Sequence, residues 1–134
     1  MDAMPDFKTL PDIEGTFHDL LGYTFVDWKD GFVKTELLLQ PKHKNRQGWV
    51  HGGVILSMMD VVSTFAGNYG PDGPVQSVTI NISCNFISGT NGERLLSEGR
   101  LVRKGRSTFF TENRVLEGGS DRILATSQGV HKLL

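Results

Sequence analysis

Residues 52–69 read GGVILSMMDVVSTFAGNY, and no proline interrupts the chain from there until Pro71. Apolar residues fall on almost every side of the helix that this stretch would form, a pattern typical of a helix surrounded by other structure. The sequence GPDGP at 70–74 then ends the helix. The sequence therefore predicts one long and largely buried helix.

Six strand-like runs flank this helix, two before it and four after it. They cover residues 23–28, 32–39, 77–87, 94–103, 107–117 and 122–133. Asp30-Gly31 between the first two runs is a strong hairpin signal. The third run alternates strictly, which predicts one shared apolar face for Val78, Ile80, Ile82, Cys84 and Phe86. One helix among antiparallel strands defines an α+β fold, here a long central helix wrapped by a roughly six-stranded antiparallel sheet.

The remaining segments are short. Residues 13–21 predict a small helix ended by Gly22, and residues 41–48 (PKHKNRQG) predict a polar loop. Residues 1–12 are expected to be a lead-in, so that residues 13–134 form a single domain.

Composition excludes several classes of protein. The 134 residues carry 14 basic and 15 acidic side chains, which argues against a nucleic-acid binder. A single cysteine, Cys84, rules out a disulfide within the chain, and the four histidines lack metal-ligand spacing. No apolar run is long enough to span a membrane, and residues 1–10 lack the features of a signal peptide. We therefore expect a cytoplasmic protein without a metal and without a membrane partner.

Two features of the long helix could carry chemistry. Gly52 and Gly53 open it, and the free N–H groups of a helix start can form an oxyanion hole, although a tight turn would use the same residues. Asp60 stands alone among apolar neighbours, where a carboxylate needs a partner. Asp60 is thus either a satisfied structural carboxylate or a general base.

Helical geometry separates these two features. Gly52 and Asp60 are eight residues apart, about 12 Å along the helix axis, so one carbonyl group cannot contact both. A second chain whose helix packs antiparallel would bring its own Asp60 opposite Gly52. In that arrangement the site would lie at a symmetric dimer interface and occur twice.

The motif His51-Gly52-Gly53, with Asp60 seven residues after Gly53 and Asn45 six before His51, resembles a known family. So do the strand SVTINI at 77–82 and the turn RKGRS at 103–107. From about residue 13 to its end the chain resembles the hotdog-fold acyl-CoA thioesterases of the PaaI-like (phenylacetic acid degradation) and thioesterase superfamily member group. The resemblance implies an acyl-CoA substrate and a homo-oligomer, at least a dimer and by analogy a tetramer.

The resemblance also assigns catalytic roles. The Gly52 N–H would polarise the thioester carbonyl, and Asp60 of the partner chain would activate water or attack as a nucleophile. Asn45 and Ser77 match positions that hold the thioester or the water. His51 is expected to orient the loop rather than to transfer protons.

A further set of residues is expected to contact substrate or coenzyme A. It comprises Val50, Gly53, Arg103, Lys104, Gly105, Arg106 and Ser107. The basic turn 103–107 suits the phosphates of coenzyme A, although solvated turns are often basic for no such reason. No cofactor is expected beyond the coenzyme A of the substrate.

Two other functions remain open. One is a hydratase or dehydratase of this fold: hydratases carry a histidine five residues after the catalytic aspartate, where this chain has Phe65, and the His51-Gly52-Gly53 context does not match the dehydratase motif well. A non-catalytic protein that binds acyl-CoA or an acyl carrier would keep the fold without the activity.

Overall fold

The computed structural model describes residues 14–134. Its helices are α1 (Phe17–Leu21) and α2 (Gly52–Gly67), with a 3₁₀ turn at Pro41–His43. Its strands are β1 (Thr24–Lys29), β2 (Phe32–Leu38), β3 (Ser77–Phe86), β4 (Arg94–Lys104), β5 (Thr108–Glu117) and β6 (Ile123–Leu133). The predicted lead-in at 1–12 and the first residue of the first predicted helix lie outside the described residues.

The six strands form one antiparallel sheet in the order β1-β2-β4-β5-β6-β3. Helix α2 packs against this sheet and contacts all six strands. The predicted α+β architecture, a long helix wrapped by a six-stranded antiparallel sheet, is confirmed, and it is the hotdog fold.

The core lies between α2 and the inner face of the sheet. Met58, Met59 and Val62 of α2 are fully buried, opposite Val33, Leu95 and Val115 of the sheet. Glycines allow the helix to approach closely: a Cβ added at Gly99 would overlap the Val62 carbonyl, and one at Gly129 would overlap Ser63 Oγ. Helix α2 is therefore seated almost on the sheet backbone.

Strand β3 departs from the predicted alternation. A bulge between Thr79 and Asn81 changes the face of every residue before it. Ile82 and Cys84 pack against the core as predicted, but Val78 and Ile80 are 47% and 56% exposed. The prediction of one apolar face along the whole strand was wrong, because the bulge turns Thr79 rather than Val78 towards α2.

Helix α2 ends at Gly67, two residues before its predicted end. The Asn68 N–H donates to the Thr64 carbonyl, and the Lys104 ammonium donates to the Gly67 carbonyl at 3.0 Å. A cation at a helix C-terminus also interacts favourably with the helix dipole. Among residues 14–134, no helix has the length and apolar character needed to cross a membrane.

Candidate active site

His51 caps the N-terminus of α2. Its Nδ1 accepts a hydrogen bond of 2.8 Å from the Gly53 N–H, a contact compatible with the predicted orienting role, which stays a prediction. The His51 carbonyl accepts from the Val54 and Ile55 N–H groups. The Gly52 N–H has no acceptor among the residues that the structure describes. It is the N–H group at this helix end that is free to polarise a substrate carbonyl.

Asn45 organises the loop that leads to this helix. Its Oδ1 accepts hydrogen bonds from the Gln47 N–H at 2.9 Å and the Trp49 N–H at 3.1 Å. The side chain is exposed, and its Nδ2 donates to no acceptor within residues 14–134. The Asn45 amide is therefore held in place with an N–H group available for a ligand.

A buried histidine anchors the same loop from below. His43 is 3% exposed; its Nδ1 accepts from the Gln40 N–H at 3.0 Å, so its Nε2 donates to the Leu21 carbonyl at 2.9 Å. The His43 carbonyl in turn accepts from the His51 N–H. Sequence reasoning considered His43 only as a metal ligand and did not find this anchoring role.

The other side of the loop is held through Thr90. The Val50 N–H donates to the Thr90 carbonyl at 2.9 Å, and the Thr90 hydroxyl donates to Glu117. Glu117 also accepts hydrogen bonds from Arg122 and Ser120. The hydrogen bond from Thr90 has the largest effect, and together the three lower the pKa of Glu117 to about 2. Val50 is thus fixed through its backbone.

Asp60 lies midway along α2 and is half-buried. Its Oδ1 accepts a hydrogen bond of 2.6 Å from the Thr79 hydroxyl. Ser77 lies two residues earlier on β3, about 7 Å along the strand. The Ser77 hydroxyl is buried without a hydrogen-bond partner among the described residues. The hydroxyl on Asp60 is therefore that of Thr79, and a role for Ser77 stays a prediction.

Behind Thr79 lies a fully buried histidine, His131 on β6. Its Nε2 is 2.5 Å from Ser63 Oγ, and its Nδ1 is 3.4 Å from Thr79 Oγ1. Burial lowers the pKa of His131 below its usual value, and the Asp60 charge opposes that shift. Neither Thr79 nor His131 was recognised from the sequence.

The structure does not bring all the predicted site residues together within one chain. Gly52 lies at the start of α2, where an added Cβ would contact the Phe86 ring at 3.5 Å. The basic turn 103–107 lies at the other end of α2, because Lys104 reaches the carbonyl of the last helical residue. Asp60 lies between them. The predicted coenzyme-binding turn is therefore about 22 Å along the helix axis from the oxyanion donor of its own chain.

The outer face of the sheet carries a groove of about 670 Å³, lined by charged and polar side chains including Glu98, Arg100, Glu112 and Arg114. None of the predicted site residues lines it. The donor at Gly52 and the carboxylate at Asp60, which lie outside this groove, are the groups suited to acyl-transfer chemistry. We therefore place the candidate site at α2.

A central helix that carries a free N–H donor and a hydroxyl-bonded carboxylate, wrapped by one antiparallel sheet, defines a hotdog protein suited to acyl chemistry. Residues 47–123, more than half of the chain, match the Thioesterase superfamily, and the chain belongs to that family.

Individual relatives agree with this assignment. The chain is 26% identical to acyl-coenzyme A thioesterase 13 of Homo sapiens over 117 residues, 86% of this chain and 81% of that protein. A conserved protein of Pseudomonas aeruginosa superposes with a TM-score of 0.80 at 30% identity, covering 88% of this chain and 93% of that one. The PaaI protein of the phenylacetic acid degradation operon of E. coli has the same fold, with a TM-score of 0.78 at 16% identity over 87% and 82% of the two chains.

Proposed function

We propose that this protein is an acyl-CoA thioesterase that hydrolyses an acyl-CoA thioester to a free carboxylate and coenzyme A. The observation that carries the proposal is the pairing of two features on α2: the unengaged Gly52 N–H and the Asp60 carboxylate held by Thr79. Membership of the Thioesterase superfamily and the relative named acyl-coenzyme A thioesterase 13 support the same reaction.

The active site would be shared between two chains, and the contacts of β3 support this arrangement. Thr79 near one end of β3 contacts Asp60, and Phe86 at the other end lies against Gly52. Among residues 14–134, no strand pairs with the outer edge of β3, since β3 is the last strand of the sheet that they form. If two copies pair antiparallel about the middle of this strand, the Asp60 end of one chain lies beside the Gly52 end of its partner.

The exposed side chains of β3 also favour such a contact. Val78, Ile80 and Phe86 are between 47% and 56% exposed on this ten-residue edge strand. The opposite edge strand, β1, is six residues long and ends in the exposed charged pair Asp27 and Lys29. Long apolar edges invite pairing, whereas short charged edges discourage it. A tetramer would then be a dimer of such dimers.

The chemistry follows from the groups in each shared site. The Gly52 N–H of one chain, assisted by the Asn45 amide, stabilises the negative charge that develops on the thioester oxygen. Asp60 of the other chain removes a proton from a water molecule, which attacks the thioester carbon. The C–S bond then breaks, and coenzyme A leaves as its thiolate. Direct attack by Asp60 would give the same products through an acyl-enzyme anhydride.

The substrate's nucleotide would lie towards the basic turn. Arg103 and Arg106 are exposed and make no ion pair within residues 14–134, so their guanidinium groups are available for the phosphates of coenzyme A. Lys104 donates to the Gly67 carbonyl, so it would contribute mainly through its charge. No metal or redox cofactor enters this reaction.

Thiol release from a panel of acyl-CoAs tests the proposal. The panel would include short, medium and long acyl chains together with phenylacetyl-CoA and benzoyl-CoA. We expect turnover by the wild type, and loss of at least about 10³-fold in kcat in Asp60→Ala and Asp60→Asn with unchanged thermal unfolding. Retention of more than about a tenth of wild-type activity in Asp60→Ala would remove Asp60 from the mechanism. An acyl-carrier or binding function would be indicated if the wild type releases no thiol.

A further inference from the structure

His131 is a buried histidine for which the proposed reaction has no direct use. Its ring stacks on Phe109 with centroids 4.8 Å apart and planes 9° apart, and neither side chain has any solvent exposure. Ser63 of α2 and Thr79 of β3 face its two ring nitrogens. Within residues 14–134, Asp60 is the charged group that acts on the ring, and its neighbours on β5 are the Phe109 ring and, through Ser63, the Thr111 hydroxyl.

The contacts of His131 belong to a longer chain of hydrogen bonds. Ser63 Oγ lies 2.6 Å from Thr111 Oγ1, and Thr111 Oγ1 accepts from Asn113 Nδ2 at 3.1 Å. Asn113 Nδ2 also donates to Ser127 Oγ at 3.1 Å. Buried polar groups thus form a row beneath α2 from Asn113 to His131, and the exposed Thr79 side chain connects this row to the half-buried Asp60.

The direction of each hydrogen bond follows from the carboxylate. An ionised carboxylate only accepts, so the single hydroxyl hydrogen of Thr79 is donated to Asp60 Oδ1. Thr79 then has no hydrogen left for His131, and the contact of 3.4 Å forms only if Nδ1 carries the hydrogen. A neutral ring protonated at Nδ1 must accept at Nε2, so Ser63 donates to Nε2 and itself accepts from Thr111.

All the hydrogen bonds in this row are therefore donated in one direction, towards Asp60. In order, the donors are Asn113, Thr111, Ser63, His131 and Thr79. Linked hydrogen bonds polarise one another in buried surroundings, which is the setting of the row from Asn113 to His131. The other tautomer of His131 would place two lone pairs face to face at Thr79. The close approach of α2 at Gly129, where any Cβ would overlap Ser63 Oγ and approach Thr111 Oγ1, keeps these hydroxyls in register.

We propose that His131 is a positioning residue for Asp60: as the neutral Nδ1–H tautomer fixed by Ser63, it holds the Thr79 hydroxyl hydrogen on Asp60 Oδ1. Oδ2 is then the oxygen that faces the reacting water. The catalytic part of this inference rests on the proposed function, whereas the tautomer and its link to Asp60 do not. The lowered pKa of His131 agrees with a neutral ring at neutral pH.

The first test measures the tautomer by two-bond ¹H–¹⁵N correlation of the histidine side chains at neutral pH. We expect the Nδ1–H form for His131 and a change in its ring ¹⁵N shifts in Asp60→Asn, which places an amide opposite Thr79. His43 is the matched control, because it is also buried but bonds to Gln40 and Leu21 rather than to the groups near Asp60. An Nε2–H or doubly protonated His131 would overturn the proposal.

The second test measures the kinetics of variants in the relay, by which we mean the hydrogen-bonded side chains Ser63, His131 and Thr79 that lead to Asp60. Thr79→Val should lower kcat about 10- to 100-fold, the scale of one hydrogen bond to a charged group, with little change in KM. It should also move the acid limb of the kcat/KM profile to higher pH, because a carboxylate that loses a donor binds its proton more tightly. Thr79→Ser should restore both kcat and the wild-type pH profile. His131→Asn, whose amide can donate near the Nδ1 position, should have a higher kcat than His131→Leu.

The two tests separate the inference from the proposed function. If the wild type releases no thiol but His131 is the Nδ1–H tautomer coupled to Asp60, the proposed thioesterase reaction is wrong while the inferred hydrogen-bond arrangement is correct. If the wild type is active while folded Thr79→Val and His131→Leu retain its kcat and pH profile, the relay has no positioning role. Thermal unfolding of each variant confirms that it is folded before its kinetics are compared.

Discussion

Glu117 shows how one carboxylate outside the reacting groups can support the site. It accepts hydrogen bonds from Thr90, Ser120 and Arg122, and Thr90 in turn holds the backbone of Val50 next to the helix cap. These hydrogen bonds lower the pKa of Glu117 from 4.5 to about 2. A lowered folded-state pKa means that the interaction stabilises the fold above pH 4.5 and is lost as the pH falls towards 2.

Glu117→Gln should therefore lower the thermal midpoint of unfolding at pH 7. The difference in midpoint between variant and wild type should be smaller at about pH 2.5, where the wild-type carboxylate is becoming protonated. Scanning calorimetry over that pH range measures the difference. Glu112→Gln is the control, since Glu112 lies exposed on β5 and makes no ion pair within residues 14–134. Equal pH dependence in the two variants would show that the Glu117 contacts add no stability.

The sequence singled out His51 and Asn45, whose observed contacts are local, while the catalytic roles assigned to them stay predictions. His51 caps the helix that begins one residue later, and Asn45 bonds to backbone groups two and four residues away. Thr79 and His131 were not predictable, because they meet Asp60 and Ser63 only through the pairing of β3 with β6 beneath α2. Their partners are 19 and 68 residues distant in sequence.

At the scale of elements, α2 can pack closely on the sheet because Gly99 has no side chain. A Cβ at Gly99 would overlap the backbone carbonyl of Val62, which cannot move without lifting the helix. Gly99→Ala should therefore destabilise the protein by about 1–3 kcal/mol, the usual scale of core overpacking. Urea unfolding measures this change.

Gly105→Ala provides the comparison for that measurement. Its Cβ would meet the Thr108 carbonyl at 3.6 Å, an ordinary contact, so its effect should stay within about 0.5 kcal/mol. A Gly99→Ala protein as stable as the Gly105→Ala protein would mean that α2 can lift from the sheet at little cost.

The elements themselves were largely predictable, because hairpin signals and apolar periodicity are local. All six strands and both helices form within a few residues of their predicted bounds, apart from the start of α1. The bulge in β3 was not predictable, because the run 77–87 alternates strictly and only the contact of Thr79 with Asp60 reveals the changed face. The 3₁₀ turn at Pro41–His43 was likewise hidden within a loop of polar residues.

At the scale of the whole molecule, shared sites can be tested by complementation. Gly52→Pro removes the N–H at the first helical position, where proline is favoured. His51 already has the extended conformation that a residue before proline requires, with φ −66° and ψ 135°. Gly52→Pro and Asp60→Ala should each be inactive alone.

Mixed after unfolding and refolding, the two variants should recover about a quarter of wild-type activity. Half of the dimers would contain both variants, and each of these would have one intact site of two. Thiol release measures the recovery, and mass spectrometry confirms that mixed dimers formed. Mixed dimers without activity would place Gly52 and Asp60 of one chain in the same site, contrary to the proposal.

The close seating of α2 also bears on which acyl groups the protein could accept. At Gly99 and Gly129 the helix backbone and its hydroxyls lie in contact with the sheet, so no hydrocarbon tail can thread between the two layers there. A long acyl chain would have to run along the outside of the helix, over Leu56, which is 41% exposed, and past Phe86 at the proposed contact between chains. Chain-length selectivity would then change through substitutions on that exterior, while the interior stays fixed.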